Sequence, residues 1–343
     1  MNIQHNISLK NYNTFGIDVS ARDFVAVSNT NELLQVLQQN KKDLFILGGG
    51  SNMLLTKNIE DALVVHIHLK GKTVIDENDD YVWIQASAGE NWHEFILWCI
   101  DNGYGGLENM SLIPGNIGTA PIQNIGAYGK ELKDNFIECE AVEITTGSTK
   151  TFNKKECEFG YRNSVFKNEL KGQYIITAVT FKLTKKNHAL NTGYGAIENE
   201  LADKNITNPS IKEISNAVIA IRQSKLPDPK ILGNSGSFFK NPVISQEYFK
   251  IFNNKFPEAP FYEVKPTQSN SKLEYKIPAG WLIEKTGFKG KQFGDAGVHK
   301  NQALVLVNYG NASGKEIWDL AMKIKTAVFE QFGIEINPEV NIY

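Results

Sequence analysis

Cysteine is scarce in this chain, with three in 343 residues: Cys99, Cys139 and Cys157. Their spacing matches no metal-binding pattern. An odd number of scattered thiols fits a reducing, cytoplasmic setting better than a disulfide scaffold. Excess charge is scarce too. The chain has 36 lysines and arginines against 38 acids, a net charge of −2, so there is no electrostatic case for nucleic acid or an anionic membrane as partner. No apolar run approaches the ~18 residues that a bilayer span requires. The opening residues MNIQHNISLKNYNTFGIDVS hold no apolar core and do not read as a secretory signal. Repeats and low-complexity tracts are absent. His66 and His68 alternate on an expected strand with no third ligand near them. They read as ordinary strand histidines, and no metal site is expected.

The length suggests two domains or three. Asp23–Val27, Leu44–Leu47, Leu63–Leu69, Tyr81–Ala86, Ile137–Ile144 and Tyr174–Leu183 read as strands. Asn29-x-x-Glu32 opens a helix whose apolar face is Leu33, Leu34 and Leu37, and Asn91–Ile100 has helical spacing. This half is mixed α+β. Near Pro209 the texture changes. Ile211, Ile214, Val218 and Ile221 repeat at helical intervals, Pro209 suits the first turn, and Lys225-Leu226-Pro227-Asp228-Pro229 must end the helix. A domain boundary is expected in or near this helix. Beyond it lie a short helix around Pro278–Lys285, a strand Gln302–Val307, and a long helix capped by Ser313-x-x-Glu316 with Ile317, Leu320, Ile324 and Val328 inward. The tail Glu335–Tyr343 reads as strand.

Two glycine loops carry more chemistry. Leu44–Leu47 runs into Gly48-Gly49-Gly50-Ser51-Asn52. The Rossmann fingerprint is not met, because Met53 stands where the third glycine belongs and no amphipathic helix follows. Successive backbone N–H groups can still form an anion-binding nest, although for this loop alone an ordinary tight turn is the slightly better account. The second loop, PGNIGTAPIQNIGAYG (114–129), is long, aperiodic and glycine-rich. Such loops are uncommon unless functional. Two of them without a Rossmann helix suggest a dinucleotide held by loops, and a flavin fits better than an exchanging nicotinamide.

Three residues suggest acid–base or anion chemistry. Ser237, in GNSGSFFKNP, stands between a glycine and two phenylalanines whose rings would exclude water from its hydroxyl. Arg162, in FGYRNS, has the planar fork that grips a carboxylate. Glu339 follows a proline in the tail. Locally, a turn serine, a surface arginine and an exposed strand glutamate account for them equally well or better.

Taken in order, the motifs resemble the bacterial UDP-N-acetylenolpyruvoylglucosamine reductase family. The matching stretches include NTFGID (13–18), LGGGSNMLL (47–55), AGENWHEF (88–95), GLENMSLIPGNIGTAPIQNIGAYGKEL (106–132), FGYRNSVFK (159–167), KLPDPK (225–230), GNSGSFFKNP (233–242), AGWLIEK (279–285), HKNQALVLVN (299–308) and PEV (338–340). The resemblance implies an α+β FAD-binding fold of the vanillyl-alcohol-oxidase type plus a C-terminal α+β substrate-binding domain. The implied division is 1–70 joined by the tail 335–343, then 71–208, then 209–334. It also implies bound FAD, NADPH as co-substrate, and reduction of the enolpyruvyl ether of a UDP-sugar to a lactyl ether during peptidoglycan precursor synthesis. A monomer is expected.

The motif match carries a proton-donor role to Ser237, with Arg162 and Glu339 beside it. It assigns cofactor contacts to Gly48, Gly49, Gly50, Ser51, Asn52, Pro114, Gly115, Thr119, Ile122, Gln123 and Gly126. Tyr194 in NTGYGAIENE resembles the tyrosine-bearing loop of the family's longer form, Lys225 a diphosphate contact, and Asn241 a further substrate contact. Two departures stand out. Asn337 replaces a frequent acid, and Thr119 stands where serine is common. The chemistry suits the set. Hydride addition to the terminal enol-ether carbon drives charge into the carboxyl group, where Arg162 and Glu339 can stabilise it, and Ser237 can protonate the neighbouring carbon. The competing readings are another flavin oxidase on the same fold and a UDP-sugar-binding regulator without catalysis.

Overall fold

The computed structural model describes residues 2–264 and 272–343, so Met1 and residues 265–271 of the expected segments lie outside the described residues. By internal contacts the chain forms two compact units. The first comprises 1–7, 20–50 and 59–223, and the second 8–19, 51–58 and 224–343. The passage between them at 223/224 falls inside the helix where the sequence changes texture.

The first unit begins as a β–α–β turn. Ser20–Val27 and Asp43–Leu47 each pair in parallel with Ile59–Ile67, with Val25 opposite Val65 and Phe45 opposite Val64. Helix α1 (Thr30–Gln39) connects the first two of these strands. Its start follows the expected signal, with the Asn29 side chain accepting from Glu32 N–H and the Glu32 carboxylate accepting from Ser28 N–H. Leu33 and Val36 face Val25, Val27, Leu63 and Val65 in one core. Gln4–Ser8, which no periodicity announced, adds a strand at one end of this sheet.

The rest of the first unit is an antiparallel five-stranded sheet ordered Thr149–Asn153, Phe136–Glu143, Tyr174–Thr184, Tyr81–Ser87, Lys72–Glu77. Lys72–Glu77 is an exposed edge strand with acids and lysine outward, a composition that resists pairing with a second chain. Helix α2 (Trp92–Asp101) covers the sheet with Trp92, Phe95, Ile96 and Cys99. Burying each large ring contributes roughly 1.5–3 kcal/mol. Helices α3 (Gly195–Asp203) and α4 (Ile211–Lys225) pack on each other through Ile197, Leu201, Ile214, Val218 and Ile221. Ser210 with Glu213 caps α4, so Pro209 sits one residue before the cap rather than in the first turn. The three cysteines are buried and unbridged.

The second unit carries an antiparallel sheet ordered Gly233–Ser237, Val305–Asn308, Ala296–Val298, Gln292–Phe293. It also has a three-stranded sheet, with Glu274–Lys276 between Val243–Ser245 and Tyr262–Val264. Helices α5 (Gln246–Lys255), α6 (Ala279–Lys285) and α7 (Gly314–Phe332) complete it. The capping box of α7 forms as expected, Ser313 with Glu316, and Ile317, Leu320, Ile324 and Val328 are buried. Of the tail expected as strand over Glu335–Tyr343, only Asn341 and Ile342 form one, pairing in parallel with Met53 and Leu54, after an isolated bridge from Pro338 to Phe239. Met53-Leu54 is thus strand, consistent with the absence of a Rossmann helix.

Candidate active site

The two glycine loops meet within the first unit. A Cβ at Gly48 would lie 2.7 Å from Thr119 Cγ2, and one at Gly49 would lie 2.9 Å from Asn116 Oδ1 and 3.0 Å from Gly115 Cα. Glycine at these positions therefore lets one loop pack on the other, a reason the sequence alone did not supply. The second loop is itself ordered by the AGEN segment. Gly118 N–H donates to Ala88 O, Ile117 N–H to Glu90 O, and Trp92 N–H to Gly115 O. Two short 3-10 turns, Ile117–Thr119 and Pro121–Gln123, follow. Neither loop holds an acidic residue. Their donors are backbone amides, amide side chains and hydroxyls, and Pro114 and Thr119 are exposed. A neutral donor set on a glycine cradle fits the diphosphate of an FAD.

Arg162 stands on the far side of the second loop. Its Nη2 donates to Gly126 O at 2.9 Å. Ser164 Oγ donates to Ile122 O at 2.7 Å, and Lys167 Nζ reaches Arg162 O and Gln123 Oε1 at 3.3 and 3.5 Å. Buried Asn124 donates to Gly160 O at 3.0 Å. The structure thus brings Ile122, Gln123, Gly126 and Arg162 together. Arg162 has φ 53°, Tyr128 φ 48° and Leu112 φ 60°, a left-handed conformation that costs a side-chain-bearing residue roughly 1–3 kcal/mol.

Two functional candidates were missed by sequence reasoning. Arg222 on α4 donates from Nε to Leu112 O at 3.3 Å and hydrogen-bonds the Tyr128 hydroxyl. Burial pushes its guanidinium below its ordinary pKa, Tyr128 opposes this, and the nearby charge of Arg162 pushes the same way as burial. Burial raises the Tyr128 phenol. Tyr194, exposed at the start of α3, packs edge-on against the Tyr128 ring at 5.3 Å. No motif flagged Arg222. The only signal was an arginine among the buried isoleucines of α4.

Comparison with known proteins decides the lineage. An FAD binding domain model matches residues 24–153, and the model for the C-terminal domain of UDP-N-acetylenolpyruvoylglucosamine reductase matches 228–343. The chain is 63% identical over 343 residues, 100% of both proteins, to the UDP-N-acetylenolpyruvoylglucosamine reductase of Flavobacterium johnsoniae. It belongs to the UDP-N-acetylenolpyruvoylglucosamine reductase family. The enzyme of that name from Amoebophilus asiaticus is 46% identical, over 100% of this chain and 99% of its own. The crystal structure of UDP-N-acetylenolpyruvylglucosamine reductase from Thermus caldophilus shares the fold at a TM-score of 0.67, with 23% identity, over 100% of this chain and 99% of that one. The chain is accordingly an FAD-dependent oxidoreductase with a C-terminal domain of the reductase type.

In this reductase-family member the serine motif forms part of the second unit. Gly233–Ser237 pairs with Val305–Asn308, with an irregularity between Asn234 and Ser237. Gly236 sits there at φ 68°, a turn that glycine accepts without strain. The motif's two serines differ. Ser235 is buried and donates to Met53 O at 3.3 Å, while Ser237 is exposed. Phe238 and Phe239 are 0% and 1% exposed and pack into the core. This corrects the expectation about the rings, which anchor the strand and do not dry the Ser237 hydroxyl.

The tail runs beside this strand. Glu339 N–H donates to Phe238 O at 2.8 Å, Lys240 N–H donates to Asn337 O at 2.9 Å, and Phe239 bridges Pro338. Asn52 donates to Glu339 O at 3.4 Å. Ser237, Glu339 and Asn52 are therefore neighbours along paired backbone. Ser51, like Asn52, belongs to this unit and is half-buried. Asn337 itself accepts from Lys325 at 3.3 Å. Asn241 Oδ1 accepts from Ala279 N–H at 2.9 Å and so caps α6. Lys225 is the exposed last residue of α4, and its backbone holds His299, whose pKa is lowered chiefly by burial.

Proposed function

We infer that the chain reduces UDP-N-acetylglucosamine enolpyruvate to UDP-N-acetylmuramate, a step of peptidoglycan precursor synthesis, with NADPH as the electron source. The observation that carries this is the end-to-end identity of 63% with a reductase of that name. Bound FAD would supply the hydride that it takes from NADPH, and Gly48, Gly49, Gly50, Ser51, Asn52, Pro114, Gly115, Thr119, Ile122, Gln123 and Gly126 are the residues proposed to hold it.

In this reading the Arg162 guanidinium grips the substrate carboxylate and stabilises the charge that gathers there. Glu339, protonated or bridged by a cation, assists. Ser237 Oγ delivers a proton to the carbon beside the carboxyl group. Because Ser237 is exposed, the substrate itself must displace water from the hydroxyl. Lys225 and the Asn241 amide nitrogen, whose oxygen partner is already engaged, contact the sugar nucleotide, and Tyr194 covers it. The proposed division of labour assigns 1–70 with 335–343 and 71–208 to the flavin, and 209–334 to the substrate. No described helix is long and apolar enough to cross a membrane, and the reading places the protein in the cytoplasm as a monomer. The test is NADPH oxidation by purified yellow protein with and without the enolpyruvyl UDP-sugar. Stimulation by the sugar nucleotide supports the reading, and a colourless protein indifferent to it sinks the reading.

A further inference from the structure

Arg162 stands on a tight turn whose ends bond each other. Gly160 N–H donates to Asn163 O at 3.0 Å, and Asn163 N–H donates to Gly160 O at 3.3 Å. Arg162 takes the third place of this turn at φ 53°, a place that glycine or asparagine fills without strain. An arginine persists there only where its surroundings over-determine the backbone. Three ties to the second glycine loop do so, and they fall on alternate residues of that loop. Ser164 Oγ donates to Ile122 O at 2.7 Å, Asn124 Nδ2 to Gly160 O at 3.0 Å, and Arg162 Nη2 to Gly126 O at 2.9 Å. The middle tie, from Asn124, is the one that reaches the base of the turn.

The chemistry of Asn124 suits that place. It is fully buried and adopts φ 44°, a left-handed conformation that asparagine accepts more readily than other side-chain-bearing residues. Its Oδ1 accepts from Lys133 N–H at 3.1 Å, while its Nδ2 donates to Glu131 Oε2 at 3.1 Å as well as to Gly160 O. Turning the amide over would set oxygen against a carbonyl and a carboxylate, so these partners fix one orientation. Glu131 is held in turn by Lys133 Nζ at 2.6 Å. Gly160 O accepts from both Asn163 and Asn124 and so uses both lone pairs. A buried polar network satisfied in this way rigidifies what it connects. Here it connects the second glycine loop to the turn that carries Arg162.

We propose that Asn124 is a positioning residue for Arg162: by holding Gly160 it fixes the base of the turn, so that the guanidinium meets the substrate carboxylate in one orientation. This rests on the proposed function, in which Arg162 grips that carboxylate. Asn124 acts through Arg162 and not on the ligand. Without its bond the turn is free to relax away from positive φ at Arg162, which re-aims the side chain. A two-point grip depends on the orientation of the fork, so the loss falls on recognition of the carboxylate.

The test is equilibrium titration of FAD-loaded protein, read by flavin absorbance, with the enolpyruvyl UDP-sugar and with UDP-N-acetylglucosamine, which has the same nucleotide and sugar but no carboxylate. Asn124→Gly removes the side chain and leaves positive φ accessible. It should weaken the first ligand by about fivefold to fiftyfold and leave the second, and anaerobic flavin reduction by NADPH, within about twofold. In an Arg162→Lys background the same substitution should change affinity for the enolpyruvyl ligand by less than about twofold, because no fork remains to be aimed. Equal weakening of both ligands, weakening of neither, or the same loss in both backgrounds overturns the inference. If the glycine variant loses its flavin, Asn124→Asp takes its place with the same outcomes, since it keeps the volume and the acceptor but loses the donor to Gly160. Flavin loss in both variants makes Asn124 a holder of the cofactor loop and also overturns the inference. A wild-type protein that fails to prefer the enolpyruvyl ligand overturns the functional reading and this inference together. A wild type that prefers it, with the variants unchanged, overturns the inference alone.

Discussion

The two units hold their candidate residues by different means. In the first, Arg162, Tyr128 and Leu112 sit on left-handed backbone that is propped by His93, Asn109, Asn124 and Ser164. In the second, Ser237 ends a strand that is irregular after Asn234, and Glu339 lies on a bend whose N–H is held by Phe238 O. Strand backbone lies in a broad minimum and carries a side chain at no conformational cost. Left-handed backbone does not, and it persists only where its surroundings over-determine it. The residue proposed to grip charge is thus embedded in a web where one change moves several atoms, while the proposed proton donor is a single hydroxyl on paired backbone. Substitutions in the second unit should act locally, and those in the first should propagate.

The largest effect expected of that contrast is at Ser237. Ser237→Ala should lower turnover by roughly two to four orders of magnitude with flavin content and thermal midpoint unchanged. Turnover near that of wild type would remove the proton-donor role, and a large fall in the midpoint would break the contrast itself. Gly49→Val comes next. Its side chain would meet Asn116 and Gly115, and prying the loops apart should cost about 1–3 kcal/mol and weaken FAD retention about tenfold to a hundredfold. Stoichiometric flavin after gel filtration would show that loop packing is irrelevant to the cofactor.

Arg162→Lys should slow flavin reoxidation by substrate by about one to two orders of magnitude, through loss of the two-point grip. It should slow reduction by NADPH less, and stopped-flow flavin absorbance separates the two. Equal slowing would make Arg162 a holder of the loop at Gly126 rather than of a carboxylate. The smallest effect sharpens the comparison from the stability side. Ser313→Ala removes the cap of α7 and should cost about 1 kcal/mol in denaturant unfolding, with no change in flavin spectrum.

What the sequence showed depended on periodicity. Ser20–Val27, Tyr174–Thr184, α1 and α7 were legible because their apolar residues recur with the period of the element and their caps follow known chemistry. Lys72–Glu77 was not, since an exposed edge strand buries nothing and leaves no alternation. Helix α5 escaped because only Phe249 and Phe252 are buried along it. The site divides in the same way. Ser237, Arg162 and Glu339 lie in recognisable motifs. Arg222 does not, because what distinguishes it is three bends of backbone at positions 112, 128 and 162 that no local window brings together.

One consequence concerns the order in which the molecule can be made. The first unit closes on residues up to 223, but the second also takes in 8–19 and 51–58. Asn308 donates to Phe15 O at 3.0 Å across 293 positions of sequence, and Ile342 pairs with Leu54. Contacts of such separation form late, after the entropy of closing a very long loop has been overcome. During synthesis the early segments must therefore wait for partners that the ribosome has yet to deliver. Glu339 can take its place beside Phe238 only once the segment after α7 has been made, so the second unit can be completed only after the residues of the first have been synthesised.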